Sequence, residues 1–189
     1  SCVSVPAGPG FHRAAAELIQ ALGEKEIKDM EWKDSTGYLE DPDFEALRRD
    51  TFEPWLAEQL NQALEELDRD PEGEVRLFWD EDQYWPEKVP GTVVTPVGRF
   101  SRQWLGQRLE RGALRELSER MFLWNEPGHD ARFHRNCALK RLWEDCYFAP
   151  SDRSGEDAQI NGFILDELEK AAKMDPELPL PVETYRELC

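Results

Sequence analysis

Residues 75–105 constrain the fold of this chain most, because they contain its only convincing β-strand signals. Apolar residues occupy alternate positions from 75 to 79, which is typical of a strand with one buried face. Residues 92–97 form a second short strand-like run, in which Pro96 favours an edge position. The pattern predicts a two-stranded ribbon joined by a long acidic and aromatic loop. An isolated ribbon is only marginally stable, so helices must cover it.

Helical periodicity dominates the chain before this stretch. One apolar stripe ends near Gly23, and a glycine there is typical of a helix end. The pair Asp41-Pro42 is typical of a helix start. Because Pro54 would break that helix, we expect Thr51 to begin a second one. The residues of the first stripe are Phe11, Ala14, Ala15, Leu18 and Leu22.

Helical periodicity also follows the ribbon. Ser101 is expected to cap one helix, another is predicted over residues 130–148, and a long one follows residue 155. We therefore predict a predominantly helical α+β fold, with about six helices packed on the ribbon, and an all-α fold as the alternative. Residues 1–189 are expected to form one domain, with 1–10 and 175–189 as extended arms. The inward positions expected in its core are Trp104, Leu109, Leu117, Trp143 and Leu168.

The charge of the chain restricts its partners. It carries 40 acidic and 23 basic side chains, a net charge of −17. Residues 17–88 hold 23 acidic and eight basic side chains, whereas residues 99–141 hold five acidic and ten basic ones. Such acidity repels nucleic acid and anionic membranes and favours a basic protein partner. The uneven distribution predicts either two halves that neutralise each other or a bipolar surface.

Other sequence signals concern the compartment. No apolar run of 18 residues is present, so no membrane-spanning helix is expected. The chain shows no secretory leader pattern, and its four cysteines lack the spacing of a disulfide framework. We therefore expect a cytoplasmic protein with reduced thiols.

His129, His134, Cys137 and Cys146 could suggest a zinc site. Helical geometry places Cys137 and Cys146 on opposite sides of one helix, so we expect no metal site. Cys137 lies among basic residues, and His134 is one helical turn away. An alternative interpretation is therefore a nucleophilic Cys137 with His134 as its base. No glycine-rich phosphate loop is present, and no cofactor is expected.

The acidic loop inside the ribbon has two interpretations. Its carboxylates could hold Mg²⁺ in a nuclease, with the pairs Glu26/Lys28 and Glu31/Lys33, but net acidity opposes nucleic-acid binding. Alternatively, aromatic anchors ringed by carboxylates are typical of a surface that binds a basic protein. The predicted partner-binding residues are Asp80, Glu81, Asp82, Tyr84, Trp85 and Glu87.

The leading hypothesis is therefore an acidic interaction module that binds and neutralises or regulates a basic protein, as immunity proteins and inhibitors do. That comparison rests on charge alone. The alternative is an enzyme with a site between the 80–88 loop and the basic 99–141 helices, using His129, His134 or Cys137. A third hypothesis is a structural subunit. A pocket with convergent polar groups would favour the enzyme, and a flat or convex acidic-aromatic patch would favour the binder.

Overall fold

The computed structural model describes residues 6–25, 33–77, 89–145 and 154–181. These residues form a predominantly helical α+β fold, as the sequence predicts. Since α2, a π-helical segment and α3 follow each other without a break, the described residues contain six continuous helices. The segments are α1 (Pro9–Lys25), α2 (Phe44–Leu47), the π segment (Arg48–Phe52), α3 (Glu53–Arg69), α4 (Arg102–Glu110), α5 (Leu114–Met121), α6 (Ala131–Glu144) and α7 (Gly155–Met174).

The sheet has three strands rather than the predicted two: β1 (Glu74–Arg76), β2 (Thr92–Thr95) and β3 (Gly98–Ser101). β2 is central, parallel to β1 and antiparallel to β3. The expected edge position of the second strand is therefore wrong. Pro96 lies in the turn between β2 and β3, where its missing N–H costs no ladder hydrogen bond.

The long helix of residues 44–69 differs from its predicted start and interruption. Asp43, not Asp41, caps α2, because its carboxylate accepts a hydrogen bond from the Ala46 N–H at 3.0 Å. No new helix begins at Thr51, because the helical segments run through this position without a break. The Glu53 N–H instead reaches back five residues to the carbonyl of Arg48. This wider turn precedes Pro54, which then lies in the first turn of α3, where a proline is tolerated.

The described residues form two apolar cores. The larger lies among α1, α3, α4, α5 and the sheet and includes Leu56, Leu60 and Leu105, all without exposed surface. The smaller, between α6 and α7, contains Leu142 and Ile164. Leu117 and Leu168 are buried as predicted, one in each core. Trp104 and Leu109 are only half-buried, and the side chain of Trp143 lies outside the described part of the structure.

The predicted inward face of α1 is wrong in part. Leu18 and Leu22 are 61% and 41% exposed, whereas Ala16 is buried. At the start of α1, the Gly10 N–H donates to the carbonyl of Trp124 at 2.9 Å. α1 also begins at Pro9, inside the predicted arm, and continues past Gly23 to Lys25.

Side-chain caps set the start of the later helices. Ser101 caps α4 as predicted, since its hydroxyl accepts from the Trp104 N–H. Asp130 caps α6 in the same way, with a 2.7 Å hydrogen bond from the Phe133 N–H. α6 ends at Glu144, earlier than the predicted residue 148. Within the described ranges, none of the helices has the length and apolar character needed to cross a membrane.

Candidate functional site

The residues predicted to bind a partner lie outside the described part of the chain, so their role stays a prediction. They are Asp80, Glu81, Asp82, Tyr84, Trp85 and Glu87. The chain re-enters the described fold at Val89, whose N–H donates to the Glu74 carboxylate at 3.1 Å. Two residues later, the carbonyl of Gly91 accepts a hydrogen bond from the Arg102 N–H at 3.0 Å. The end of the acidic loop is thus fixed beside the start of α4.

A solvent-open groove of about 520 Å³ runs between α3 and the α4–α5 pair. Its α3 wall consists of residues spaced by four, three and four positions, which form one stripe along the helix. At 1.5 Å per residue, the stripe is about 16 Å long, or three helical turns. The wall residues from α3 are Ala57, Asn61, Leu64 and Asp68. The opposite wall consists of Arg102, Gly106, Leu109, Glu110, Gly112 and Leu114.

The floor of this α3–α4 groove is apolar. Leu64, Leu109 and Leu114 are half-buried and pack against the larger core, so each also presents apolar surface to the groove. At Gly106 an added Cβ would meet no atom within 4 Å. The groove therefore has room for an apolar side chain from another molecule.

The rim of the groove is acidic. On α3, Glu58 and Glu65 are exposed at the flank of the groove stripe, whereas Glu66 lies on the opposite side of the helix. The turn after α3 adds the exposed Asp70 and Glu72. The only basic residue among those that line the groove, Arg102, is neutralised by its hydrogen bond to Asp68. Since Glu110 lines the opposite wall, the charge left at the rim is negative.

The titratable groups that line the groove are Asp68, Arg102 and Glu110, and the lining includes no histidine, cysteine or lysine. Its shape and composition fit the binding of an apolar and cationic surface.

His134 and Cys137, the candidate base and nucleophile, lie elsewhere, where α6 packs against α7. His134 Nδ1 lies 2.7 Å from Glu167 Oε2, and both side chains are buried. Burial, and after it the negative charge of Glu167, raises the pKa of the Cys137 thiol to about 11. Cys137 therefore stays protonated near neutral pH and lacks the thiolate character of an activated nucleophile.

Glu167 was not found by sequence reasoning. Its only signal is position: it lies between Ile164 and Leu168, on the face of α7 that packs against α6. Lys170 shares its carboxylate, with Nζ 2.7 Å from Oε1. His129 stacks on Phe133 at 4.2 Å between ring centroids instead of joining this pair. Among the residues that the structure describes, no three histidine, cysteine or acidic side chains are grouped as metal ligands would be.

A second buried polar cluster surrounds Arg48 in the π segment. Its side chain is 1% exposed and pairs with Glu45, with Glu53 at 3.8 Å and with Glu126 at 3.1 Å. Burial raises the pKa of Glu53, although Arg48 acts in the opposite direction. π segments are frequent at functional sites. Here, however, the charge of Arg48 is satisfied by carboxylates of its own chain, so the cluster ties the π segment to the loop before α6.

Comparison with known protein families, with curated proteins and with solved structures finds no match to this chain. The fold and the groove therefore define the class of protein by themselves. They describe an acidic helical α+β domain with an open groove that combines an apolar floor and an acidic rim.

Proposed function

We propose that this protein is an acidic interaction module that binds a basic protein partner through the α3–α4 groove and so neutralises or regulates it. The observation that carries the proposal is the apolar floor of the groove, framed by the carboxylates of α3. Burial of apolar surface supplies most of the affinity of such contacts, and complementary charge supplies association rate and specificity.

The dimensions of the groove favour one mode of recognition. A stripe of three helical turns on α3 matches the length that an amphipathic helix needs to lie along a groove. Apolar residues of the partner would contact Leu64, Leu109 and Leu114. Lysine or arginine residues on its flanks would meet Glu65 and Glu110. The partner element is therefore a basic amphipathic helix.

The acidic loop predicted from the sequence extends this proposal. Its chain rejoins the fold at Val89, and Gly91 contacts Arg102 at one end of the groove. This connection supports a role for Asp80, Glu81 and Asp82 in attracting the same partner. Tyr84 and Trp85 would supply aromatic contacts, which are enriched among the strongest positions of protein interfaces.

The test uses Gly106→Leu. This substitution adds a side chain in the open space of the groove and replaces a helical glycine with a better helix former, so the fold should be retained. Tagged wild-type and variant protein are used to capture partners from the native host, followed by quantitative mass spectrometry. Captured proteins are then titrated by calorimetry. We expect the partner's affinity to fall at least about tenfold, equivalent to about 1.4 kcal/mol.

The matched control is Gly162→Leu. Gly162 is also a helical glycine with open space at its Cβ, but it lies on the exposed face of α7. The proposal requires a basic partner that is retained by wild-type protein and by this control and is lost with Gly106→Leu. Equal capture by all three proteins, with equal affinities, would show that the groove is not the binding surface.

A further inference from the structure

Arg102 and Asp68 join the two walls of the α3–α4 groove at one end. Nε of Arg102 donates to Oδ1 of Asp68 at 2.5 Å, and Nη2 of the same guanidinium also contacts this oxygen. Asp68 is the last residue of the α3 stripe that lines the groove, and Arg102 is the first residue of α4. A side chain of the protein itself therefore spans this end of the groove.

The contact leaves part of the Asp68 carboxylate unused. Both nitrogens of Arg102 approach Oδ1, and Oδ2 accepts no hydrogen bond from the described residues. The side chains of Arg102 and Asp68 are 51% and 54% exposed, so water competes with the ion pair. Exposed pairs of this kind contribute little to stability, and their side chains separate at small cost. The carboxylate is thus available to a second cation.

Only the side chain of Arg102 needs to move to open this end of the groove. Its backbone N–H is held by the carbonyl of Gly91 at 3.0 Å, and the preceding residue, Ser101, caps α4. Asp68 lies in the last turn of α3, which ends at Arg69. Because both backbones are held by hydrogen bonds of the fold, a new partner for Asp68 requires no rearrangement of the helices.

The place of Asp68 in the stripe defines where a bound cation lies. Leu64, which contributes to the apolar floor, is four residues earlier on the same face, about 6 Å along α3. The turn that follows α3 adds the exposed carboxylates of Asp70 and Glu72. The groove therefore presents an apolar surface and, one helical turn further, negative charge.

We infer that Asp68 determines the specificity of the groove by binding an arginine of the partner in place of Arg102. This inference rests on the proposed function, and it narrows the partner to a basic amphipathic helix with an arginine one turn beyond its last apolar contact. The contact with Arg102 demonstrates that a guanidinium fits this carboxylate. An incoming guanidinium can engage both carboxylate oxygens as a fork, whereas a lysine ammonium acts as a point charge. Arg102 is then a competitor that the partner displaces.

The probes are synthetic helical peptides in matched pairs. Each peptide carries leucines at i, i+3, i+4 and i+7, with lysines on the flanks of this face. One member of a pair has an arginine one turn beyond the leucines, and the other has a lysine there. The arginine precedes the leucines in one pair and follows them in another, which covers both directions of a bound helix. Calorimetry with the full chain measures each affinity.

We expect wild-type protein to bind the arginine peptide of one pair at least about threefold more tightly than its lysine counterpart, because a guanidinium fork makes two charge-assisted hydrogen bonds. Asp68→Asn should remove this preference. The substitution breaks only an exposed ion pair, so the fold should be retained.

Arg102→Gln distinguishes competition from participation in the binding surface. Loss of the competitor should tighten binding of the arginine peptide by about twofold to fivefold, the range over which an exposed ion pair holds its partner. Asp68→Asn should then cost more affinity in this background than in wild type. Arg69→Gln is the matched control for charge, because Arg69 is exposed and its Nε donates to the carbonyl of Glu65 instead of to the groove. This control should keep the wild-type affinities.

The outcomes separate this inference from the proposed function. If no peptide binds, or if Gly106→Leu leaves binding unchanged, the groove is not the binding surface and both proposals fail. If Gly106→Leu weakens binding, the groove stands. The role of Asp68 is then refuted if no pair shows an arginine preference or if Asp68→Asn retains that preference. Competition by Arg102 is refuted if Arg102→Gln does not tighten binding, or if Arg69→Gln tightens it equally.

Discussion

Asp34 holds the loop before α2 against α1. Its carboxylate, which is 6% exposed, accepts hydrogen bonds from the Thr36 N–H at 2.9 Å and from the Leu39 N–H at 3.2 Å. The Thr36 hydroxyl also donates to Asp34, at 2.8 Å. The Thr36 hydroxyl has only one hydrogen, which it donates to Asp34. In the 3.0 Å contact between Thr36 Oγ1 and His12 Nε2, the histidine nitrogen is therefore the donor. One carboxylate thus organises a turn and links it to a helix.

The pKa of Asp34 makes the stability of the fold depend on pH. Burial raises this pKa, but the hydrogen bonds from Thr36 and Leu39 together lower it below the usual value. A carboxyl whose pKa is lower in the folded state stabilises the protein above its unfolded pKa of about 4, and this contribution is lost as the pH falls through the lowered folded pKa. We expect Asp34→Asn to reduce the free energy of unfolding by about 1–3 kcal/mol at pH 7. This difference should shrink below pH 4.

Urea unfolding between pH 3 and pH 7 measures the effect. Asp41→Asn is the matched control, because Asp41 lies in the same loop with an exposed side chain. The control should differ little from wild type at any pH. A wild-type advantage over Asp34→Asn that does not decrease at low pH would refute the assignment.

Among the helices, α1 depends on a close backbone contact at its first turn. Gly10 donates to the carbonyl of Trp124, and the Trp124 N–H donates to the carbonyl of Ala7 at 3.0 Å. A Cβ at Gly10 would lie 2.1 Å from the carbonyl oxygen of Glu126. Neither backbone can move without breaking these hydrogen bonds. The missing Cβ of Gly10 therefore permits the close approach of α1 to the backbone of residues 124–126.

We expect Gly10→Ala to lower the free energy of unfolding by about 1–3 kcal/mol, because the added methyl group overpacks a backbone contact. Gly106→Ala is the control in a helix with open space, and should raise stability by about 0.5–1 kcal/mol. Thermal unfolding of the two variants gives the comparison. If both variants were stabilised alike, the close approach of α1 to Glu126 would be wrong.

The α6–α7 pair has its own apolar core, separate from the one that holds α3, α4 and α5. It is linked to the segment before α6 by the hydrogen bond from Asn136 to the carbonyl of Leu123 and by the ring contact of Phe133 with Trp124. Elements with separate cores can open separately. We therefore expect α6 and α7 to behave as one cooperative unit.

Leu168→Ala and Leu117→Ala test this division. Each removes a buried side chain, at a cost of about 2–5 kcal/mol. Amide hydrogen exchange should accelerate in α6 and α7 for Leu168→Ala, with α3 unchanged. For Leu117→Ala, amide hydrogen exchange should accelerate in α3 and stay unchanged in α6 and α7. Equal acceleration of α3 in both variants would mean that the two cores open as one unit.

For the whole molecule, the charge is divided between regions as the sequence predicts, although part of it is neutralised locally. Glu116 and Glu119 each contact two arginines. The face of α3, by contrast, keeps exposed carboxylates beside the groove. Among the described residues, exposed carboxylates therefore remain on α3, while several arginines share Glu116 and Glu119.

Long-range attraction by the acidic region should appear in the kinetics of partner binding. Replacement of Asp80, Glu81 and Asp82 by Asn or Gln should mainly slow association and flatten its salt dependence. Trp85→Ala should instead raise the dissociation rate, by an amount worth about 2 kcal/mol or more. Surface plasmon resonance at two salt concentrations, with the partner captured by wild-type protein, separates these effects. Unchanged kinetics in both folded variants would exclude the loop from the interface.

The sequence by itself determined the helical content, the Ser101 cap, the buried positions of Leu117 and Leu168 and the distribution of charge. These are local properties, set by periodicity, capping chemistry and residue type. Predictions that depend on the tertiary contacts of a helix face were less accurate. Leu18 and Leu22 fit an amphipathic pattern, yet both are exposed in the structure, because the face that a helix buries depends on the elements that it meets.

Only the tertiary structure decided the arrangements that join distant segments. The parallel pairing of β1 with β2 joins strands that are separated by residues 77–91. The contact between His134 and Glu167 joins residues that are 33 positions apart, and no sequence motif around either residue predicts it. The α3–α4 groove exists because the helices pack at one particular angle and rotation. Periodicity along a chain describes one helix at a time, so it contains no information about how the surfaces of two helices meet.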